Sequence, residues 1–446
     1  MYRIAVIGAG VAGYTIALEA ARRGIKTALV EKEVVGGTCL NRGCIPTKTY
    51  LRKAEEIRMG IHKKDSKSTA KEIECVVEKL RWGLTSSLTD PFIDIFKGTA
   101  EIIDEHTIRI EESQTNLTAE YIVIATGSVP NVIRIPGADS RHVFTTDHAF
   151  DPENIFPDSI AIIGGGVIGI EFAYLLNSVG TKVSVFEVKS QILQGMTRSF
   201  SETVENDLAI QGIKFYKESV VRKIEDEDGE LVITFTESEK KRQVVVAKVL
   251  MAAGRKADLT IAGISRLGIK IKDGKVRVDH NCQTNVKQVY AAGDVACGVQ
   301  LAYVAALQAK KIVDHICGIE QASISEKLIP RCVYIHPEIA VIGLSEEEAN
   351  CRRNDYQIVK YLMGANGRSQ LEKKTKGFIK LIISRQKHTV LGAEMYCEHA
   401  IDMIPLLESF IMNQTDVRTI SRMHFPHPSF VEGIRECVSL AEVIED

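Results

Sequence analysis

The 446-residue chain is 45% hydrophobic and 26% charged, the balance of an ordinary folded protein and not of a disordered, collagenous or disulfide-stapled one. Its 56 basic residues nearly cancel 58 acidic ones, so no surplus of positive charge exists to neutralise phosphates, and nucleic-acid binding is set aside. No uninterrupted apolar run reaches membrane-spanning length, and the length suggests about three domains.

The opening MYRIAVIGAGVAG lacks a basic n-region and a small-residue cleavage site, so it reads as structure, not as a signal peptide. Residues 3–7 (RIAVI) predict a strand, the Ala-rich stretch through Arg22 a helix, and KTALVE (26–31) a second strand. At the turn between the first strand and the helix, Gly8 permits the tight reversal and Gly10 lets backbone approach a pyrophosphate. Gly13 lets helix and strand pack closely. The helix N-terminus offers unpaired N–H groups and a partial positive charge to phosphates. Glu31, closing the second strand, can accept hydrogen bonds from a ribose diol.

Eight of the ten cysteines are scattered, but Cys39 and Cys44 stand close together directly after this unit, in GGTCLNRGCIPTK (36–48). That usage fits a reducing cytosol with one specialised pair, and a cytoplasmic location is expected. Two buried free thiols are the plain alternative. Five residues of ideal helix rise about 7.5 Å, beyond the ~4.4–6.8 Å between disulfide Cα atoms. A bridge therefore needs a distorted helix or loop, which Gly43 and Pro46 permit. A strained, accessible bridge is the labile, catalytic kind.

A polar helical stretch follows around 50–90, containing the only Trp, Trp82, then short strands near 94–110 and the run YIVIATGSVP (121–130). The opening unit then recurs over 159–187, with Gly164, Gly166 and Gly169 and an acid, Glu187, the same 23 positions after the first glycine as Glu31 is after Gly8. A carboxylate there repels a 2′-phosphate, so this second site should prefer NAD(H) to NADP(H), tempered by Lys189 two residues on. Residues 213–254 alternate as strands around the polar turn EDEDGE and end in VLMAAGR; QVYAAGD (288–294) marks a third glycine-marked strand end. From about 326 strands such as GFIKLIIS and VLGAEMY mix with helices without nucleotide-binding glycines, predicting a different kind of domain. His336 in YIHPE reads as a structural strand-end residue at a domain seam, and HKKDSKSTAK and EKKRQ as solvated surface.

GGTCLNRGCIPTK resembles the redox-active signature of the class I pyridine nucleotide–disulfide oxidoreductases, and its wording is most similar to the dihydrolipoamide dehydrogenase branch. GAGVAG, IVIATGSVP, GGGVIGIE, VLMAAGR, YAAGD, YIHPEIAVIGLSEEEA and HPSFVE fall in the family's order, so the resemblance spans nearly the whole chain. It implies an α/β fold with two Rossmann-like dinucleotide-binding domains, for FAD and NAD, and a C-terminal α+β dimerisation domain. The expected boundaries are 1–143 and 258–325 for the FAD-binding parts, 144–257 for NAD and 326–446 for the interface of a homodimer.

Carried over position by position, Cys39 would exchange with substrate and Cys44 would pass electrons to the flavin. Lys48 and Glu171 would form an ion pair near the flavin's reactive nitrogen. Asp294, Ala302 and the Gly98–Ala100 stretch would contact FAD, with Gly37, Thr38, Ala125, Thr126 and Gly127 also expected at the cofactors, together with Val220 and Gly254. Val167 stands where some relatives carry a gating tyrosine. A dithiol needs a general base with a pKa near neutral, and the His427–Glu432 spacing in HPSFVE matches the family's His–Glu pair. No metal is expected.

The implied activity is oxidation of dihydrolipoamide, free or on the lipoyl domain of a 2-oxo acid dehydrogenase or glycine-cleavage complex, with NAD⁺. The alternatives are an NAD(P)H-dependent reductase of glutathione or another small disulfide, a flavin NADH oxidase or diaphorase, and a non-catalytic flavoprotein. Two departures bear on the substrate: His424-Phe425-Pro426-His427-Pro428-Ser429 is bulkier than the family's usual His-Ala-His-Pro-Thr, and LGAEMYCEHAIDMI lacks the glycines common after the equivalent strand. Cys437 stands without a paired cysteine near the C-terminus, which argues against mercuric reductase and the larger thioredoxin reductases.

Overall fold

The computed structural model describes residues 1–261, 263–320, 325–351 and 355–441. Three large sheets organise it. In the first, strand Tyr2–Ile7 lies between Thr27–Glu31 and Thr115–Ile124 and runs parallel to both. Ile93–Lys97 and Val289–Ala291 continue the parallel part, and Thr107–Ile110 and Ala100–Ile102 add antiparallel strands at one side. The first strand is apolar on both faces because both are covered. Ile4 and Val6 pack with Ala12, Ile16 and Ala20 on one side, and Ala5 and Ile7 with Ile102 and Ile124 on the other.

The second sheet is inserted between the strands of the first. Its order is Lys214–Tyr216, Lys182–Phe186, Ser159–Ile163, Lys248–Met251 and Val143–Thr145, all parallel. An antiparallel meander of Ser219–Glu227, Glu230–Glu237 and Lys240–Val246 accompanies it, with EDEDGE forming an exposed hairpin tip.

The helices that follow the two glycine turns, α1 (Val11–Ala21) and later α5 (Val167–Ser178), start at Gly10 and Gly166. Both turns sit where the strand order reverses, the crevice in which open α/β sheets bind ligands. Gly8, at φ 101°, lies so close to the neighbouring strand's end that a Cβ would come within 2.5 Å of the Ala125 carbonyl oxygen; at Gly164 the distance to Ala252 O would be 2.3 Å. A Cβ on Gly13 would reach 1.8 Å from Gly8 O, and one on Gly169 1.9 Å from Gly164 O. The repeat in the sequence is thus a repeat in atomic packing.

Between the two units the helical stretch is three helices: α2 (Gly37–Asn41), α3 (Cys44–Arg58) and α4 (Ser66–Ser87). Helix α3 already begins at Cys44, ahead of the expected start. It ends before Gly60, at φ 75°, and Asp65 restarts the helix by accepting a hydrogen bond from Ser68 N at 3.0 Å. Pro46 falls in the first turn of α3, where a missing N–H removes no helical bond.

The C-terminal sheet is antiparallel throughout, in the order Arg331–Val333, Glu338–Gly343, Val390–Cys397, Phe378–Ser384 and Tyr356–Leu362. Helices Ala400–Met412 and Glu432–Val438 share its core through Ile404, Leu407 and Ile434 against Ile379, Leu381 and Met395. The connection between its first two strands meets α3: His336 Nε2 lies 3.0 Å from Glu55 Oε2, and Nδ1 3.1 Å from Glu398 Oε2. Among the described residues, no helix is long and apolar enough to cross a membrane.

Candidate functional site

A cavity of about 1360 Å³ opens at the carboxyl ends of the first sheet. That exceeds the ~300–1,000 Å³ of an ordinary small-molecule pocket and suits a dinucleotide. Gly8, Gly10, Glu31, Gly37 and Thr38 line one part of it, and Gly98, Ala100, Ala125, Thr126 and Gly127 another. Asp294 and Ala302 join the wall from the returning segment, and Val167 and Glu171 from α5. Gly13 lies outside the lining, packed beneath the turn. A Cβ on Gly37 would meet Gly10 Cα at 2.6 Å, so two bare backbones form the floor beside the start of α1. No side chain caps α1, which leaves its first-turn N–H groups to a phosphate.

Glu31 does more than sequence reasoning assigned to it. Its carboxylate accepts Ala9 N at 2.7 Å and Glu33 N at 2.8 Å, bracing the glycine turn, and burial pushes its pKa up. Glu187 repeats this, accepting Gly165 N at 2.8 Å and Lys189 N at 2.9 Å. Gly164, Gly166, Gly169, Glu187, Val220 and Gly254 are not part of the cavity wall. At the second glycine turn α5 likewise starts without a side-chain cap, and a Cβ on Gly166 would meet nothing within 4 Å. Backbone from Ser219 N to Glu187 O, 3.0 Å, brings the Val220 strand alongside this acid.

Cys39 and Cys44 share the cavity wall. The helix breaks between them: Arg42 (φ −142°, ψ 5°) and Gly43 (φ −130°, ψ −107°) leave helical geometry, which folds one sulfur back onto the other. The hydrogen bond from the Cys39 thiol holds Cys44 down to about 7 against burial, assisted by the Lys48 ammonium; the same bond pushes Cys39 up. Cys44 is also the first residue of a 15-residue helix, whose dipole favours a thiolate there. Asn41 ties the motif together by donating to Val35 O at 3.0 Å and Gly37 O at 2.9 Å, and Arg81 Nε donates to Asn41 Oδ1 at 2.9 Å.

One turn beyond Cys44, Lys48 Nζ lies 2.8 Å from Glu171 Oε2, on a carboxylate that is itself buried. Arg255, the final residue of VLMAAGR, was missed as a site residue although its motif was noticed. Its guanidinium donates to Ser128 O at 2.7 Å and Ser128 Oγ at 2.8 Å, and Ser128 Oγ donates to Asp294 Oδ2 at 2.5 Å. These bonds hold Asp294 at the cavity. Tyr334 was missed too: its ring stands over Lys48, with Nζ 4.1 Å from the centroid, and no local pattern in the chain signals that.

His427 and Glu432 are not brought to the cysteines within one chain; neither lines the cavity. His427 Nδ1 lies 3.0 Å from Glu432 Oε1, and Ser429 N donates to Glu432 Oε2 at 2.8 Å. Burial pushes the Glu432 carboxyl up, but these two bonds outweigh it and hold it below its ordinary value. The carboxylate requires a proton on Nδ1, so Nε2 is left as the acceptor, on a side chain 79% exposed. Among the described residues, no group of three or more His, Cys, Asp or Glu could hold a metal ion.

Residues 2–309 match the pyridine nucleotide-disulphide oxidoreductase family, and residues 329–438 match that family's dimerisation domain. The chain is 33% identical to a dihydrolipoyl dehydrogenase of Bacillus subtilis, over 99% of this chain and 98% of that one. It is also 28% identical to a mercuric reductase of Staphylococcus aureus, over 97% of this chain and 81% of that one. The solved structure of the HOCl-induced flavoprotein disulfide reductase RclA from Escherichia coli superposes with a TM-score of 0.90 at 27% identity, covering 99% of this chain and 100% of that one. The glycine turns, the paired thiols and these matches converge: the chain belongs to the pyridine nucleotide–disulphide oxidoreductases, flavoenzymes that work with FAD and a pyridine nucleotide and pair through their dimerisation domains.

Proposed function

We propose that the protein is a dihydrolipoamide dehydrogenase, oxidising a small dithiol, free or carried on a lipoyl domain, with NAD⁺. The observation that carries the reading is the Cys39/Cys44 pair, set in the wall of the same cavity as Gly8, Gly10 and the Lys48–Glu171 ion pair. Similarity to dihydrolipoyl dehydrogenases over 98% or more of the chain supports the choice of substrate.

In this reading the partner subunit's His427 takes a proton from one substrate thiol through Nε2, while Glu432 fixes the imidazole by holding Nδ1–H. The substrate thiolate attacks Cys39 Sγ, the Cys39–Cys44 bond breaks, and Cys44 leaves as a thiolate. The second substrate thiol then attacks the substrate sulfur bound to Cys39, giving the cyclic disulfide and releasing Cys39 as a thiol. Two electrons thus reach the cysteine pair. Lys48 and the α3 N-terminus stabilise the departing Cys44 thiolate.

The Gly8–Gly13 turn and the start of α1 would hold the FAD pyrophosphate, Glu31 its ribose, and Asp294, Ala302, Gly98, Ala100, Ala125, Thr126, Gly127, Gly37, Thr38 and Lys48 the rest of the molecule. Gly164, Gly166, Gly169, Glu187, Val220 and Gly254 would hold NAD, with the Glu187 carboxylate repelling a 2′-phosphate. Bound FAD and NAD⁺ supply the two-electron acceptors that restore the disulfide.

NAD⁺ reduction by dihydrolipoamide, run beside reduced glutathione and beside NADP⁺, tests the reading. Dihydrolipoamide with NAD⁺ should give the highest kcat/KM by orders of magnitude. Preference for another dithiol or thiol would assign the site to a different disulfide oxidoreductase of the same family.

A further inference from the structure

Tyr334 lies in the connection between strands Arg331–Val333 and Glu338–Gly343 of the C-terminal sheet and reaches the Lys48–Glu171 pair through two separate groups. Its ring faces Lys48 Nζ at 4.1 Å from the centroid, and its backbone N–H donates to Glu171 Oε1 at 3.0 Å. The bond to Oε1 turns the carboxylate so that Oε2 meets the ammonium at 2.8 Å. The ring meanwhile occupies space into which a lysine on a flexible four-carbon stem would otherwise swing. Tyr334 forms part of the cavity wall together with Cys44, Lys48 and Glu171.

We propose that Tyr334 is a positioning residue for the dithiol chemistry, holding the Lys48 ammonium on Glu171 and within reach of Cys44 by its ring face and its backbone N–H. This rests on the reading of Cys39 and Cys44 as the redox pair. The charged and titratable groups around the pair come from every neighbouring element: Lys48 on α3, Glu171 on α5, Tyr14 on α1, Arg255 from the short strand paired with Ser128–Pro130, and Tyr334 itself. Lys48 supplies the nearby positive charge that favours the Cys44 thiolate, so its placement counts for more than that of the rest. The same connection is anchored again two residues on, where His336 grips Glu55, seven positions along α3 from Lys48. The C-terminal sheet is thereby tied to the helix that carries Cys44.

The test measures thiol ionisation directly. The FAD-loaded dimer is reduced with dithiothreitol, freed of it under argon and alkylated with iodoacetamide between pH 5 and pH 10, with Cys44 labelling located by mass spectrometry. Wild type should ionise near neutral pH. Tyr334→Leu and Tyr334→Met, both without a ring, should move that midpoint up by roughly half a unit to one unit, and Tyr334→Phe should restore it. Flavin content and dimer size should stay the same in all four proteins. Unchanged midpoints in Tyr334→Leu and Tyr334→Met, or an equal shift in Tyr334→Phe, would overturn the proposal. A wild-type Cys44 that ionises only at the ordinary cysteine range would instead count against the redox-pair reading beneath it.

Discussion

Cys44 gains its acidity from Cys39, five positions before it, and from Lys48, four positions on, whereas Glu171 on α5, which holds Lys48, opposes the thiolate with its own charge. The motif made the pair and the lysine legible, because both fall inside GGTCLNRGCIPTK; the packing that makes them a working set was not. Glu31 and Glu187 were legible as acids at strand ends, yet their bonds to Ala9 N and Gly165 N follow only from how tightly each glycine turn folds. Arg255 and Tyr334 escaped for a similar reason: each acts on residues more than a hundred positions distant. The His427–Glu432 pair leads to a prediction at this scale. His427→Gln should lower dithiol turnover by roughly 10²- to 10⁴-fold, the usual worth of a positioned base, while flavin absorbance per protein stays at the wild-type value. Glu432→Gln should fall between the two proteins, because it weakens the orientation of the imidazole and leaves the base in place. Steady-state rates on flavin-matched samples check both.

At the scale of elements, hydrophobic period and glycine spacing were enough to place both strand–turn–helix units, the meander and the C-terminal strands. The boundaries of the helical stretch were not, because the break around Gly60 and the Asp65 cap are local events in a polar stretch. Glycines with positive φ differ in what a side chain would meet. At Gly37 (φ 57°) it would strike Gly10 Cα, whereas at Gly60 (φ 75°) it would meet open space. Gly37→Ala should therefore reduce flavin retention, measured as bound flavin after gel filtration. Gly60→Ala should retain flavin fully and cost only about 1–2 kcal/mol of left-handed backbone strain.

The His336 junction carries a pH dependence. Burial opposes a charge on the ring, but hydrogen bonds to Glu398 and Glu55 and their negative charges outweigh it and raise His336 to about 9. A folded-state pKa above the unfolded value of ~6.5 contributes stability that is full below about pH 6.5 and lost as pH rises through 9. Unfolding free energies of wild type and His336→Gln, from denaturant titrations, should be furthest apart near pH 6, on the order of 2–3 kcal/mol, and converge by pH 10. A gap that stays constant with pH would mean that the imidazolium does not support this junction.

For the whole molecule, the doubled nucleotide-binding design was legible because it recurs in sequence, and the separate nature of the C-terminal region because it lacks that glycine pattern. How the base reaches the sulfurs was legible only through resemblance, since one chain keeps His427 outside the cavity. A site built from two subunits predicts complementation. Cys44→Ser and His427→Ala dimers, each inactive alone, should regain about a quarter of wild-type activity once subunits are exchanged, since half of the dimers then carry one intact site out of two. Persistent inactivity after exchange, shown to have occurred by mass, would mean that base and cysteines do not meet across the dimer. The central claim, that electrons pass from dithiol to nicotinamide through Cys39 and Cys44, is tested most directly by dihydrolipoamide-dependent NADH formation in Cys44→Ser, with bound flavin measured on the same sample. The account predicts full flavin and no NADH; NADH formed at an undiminished rate would contradict it.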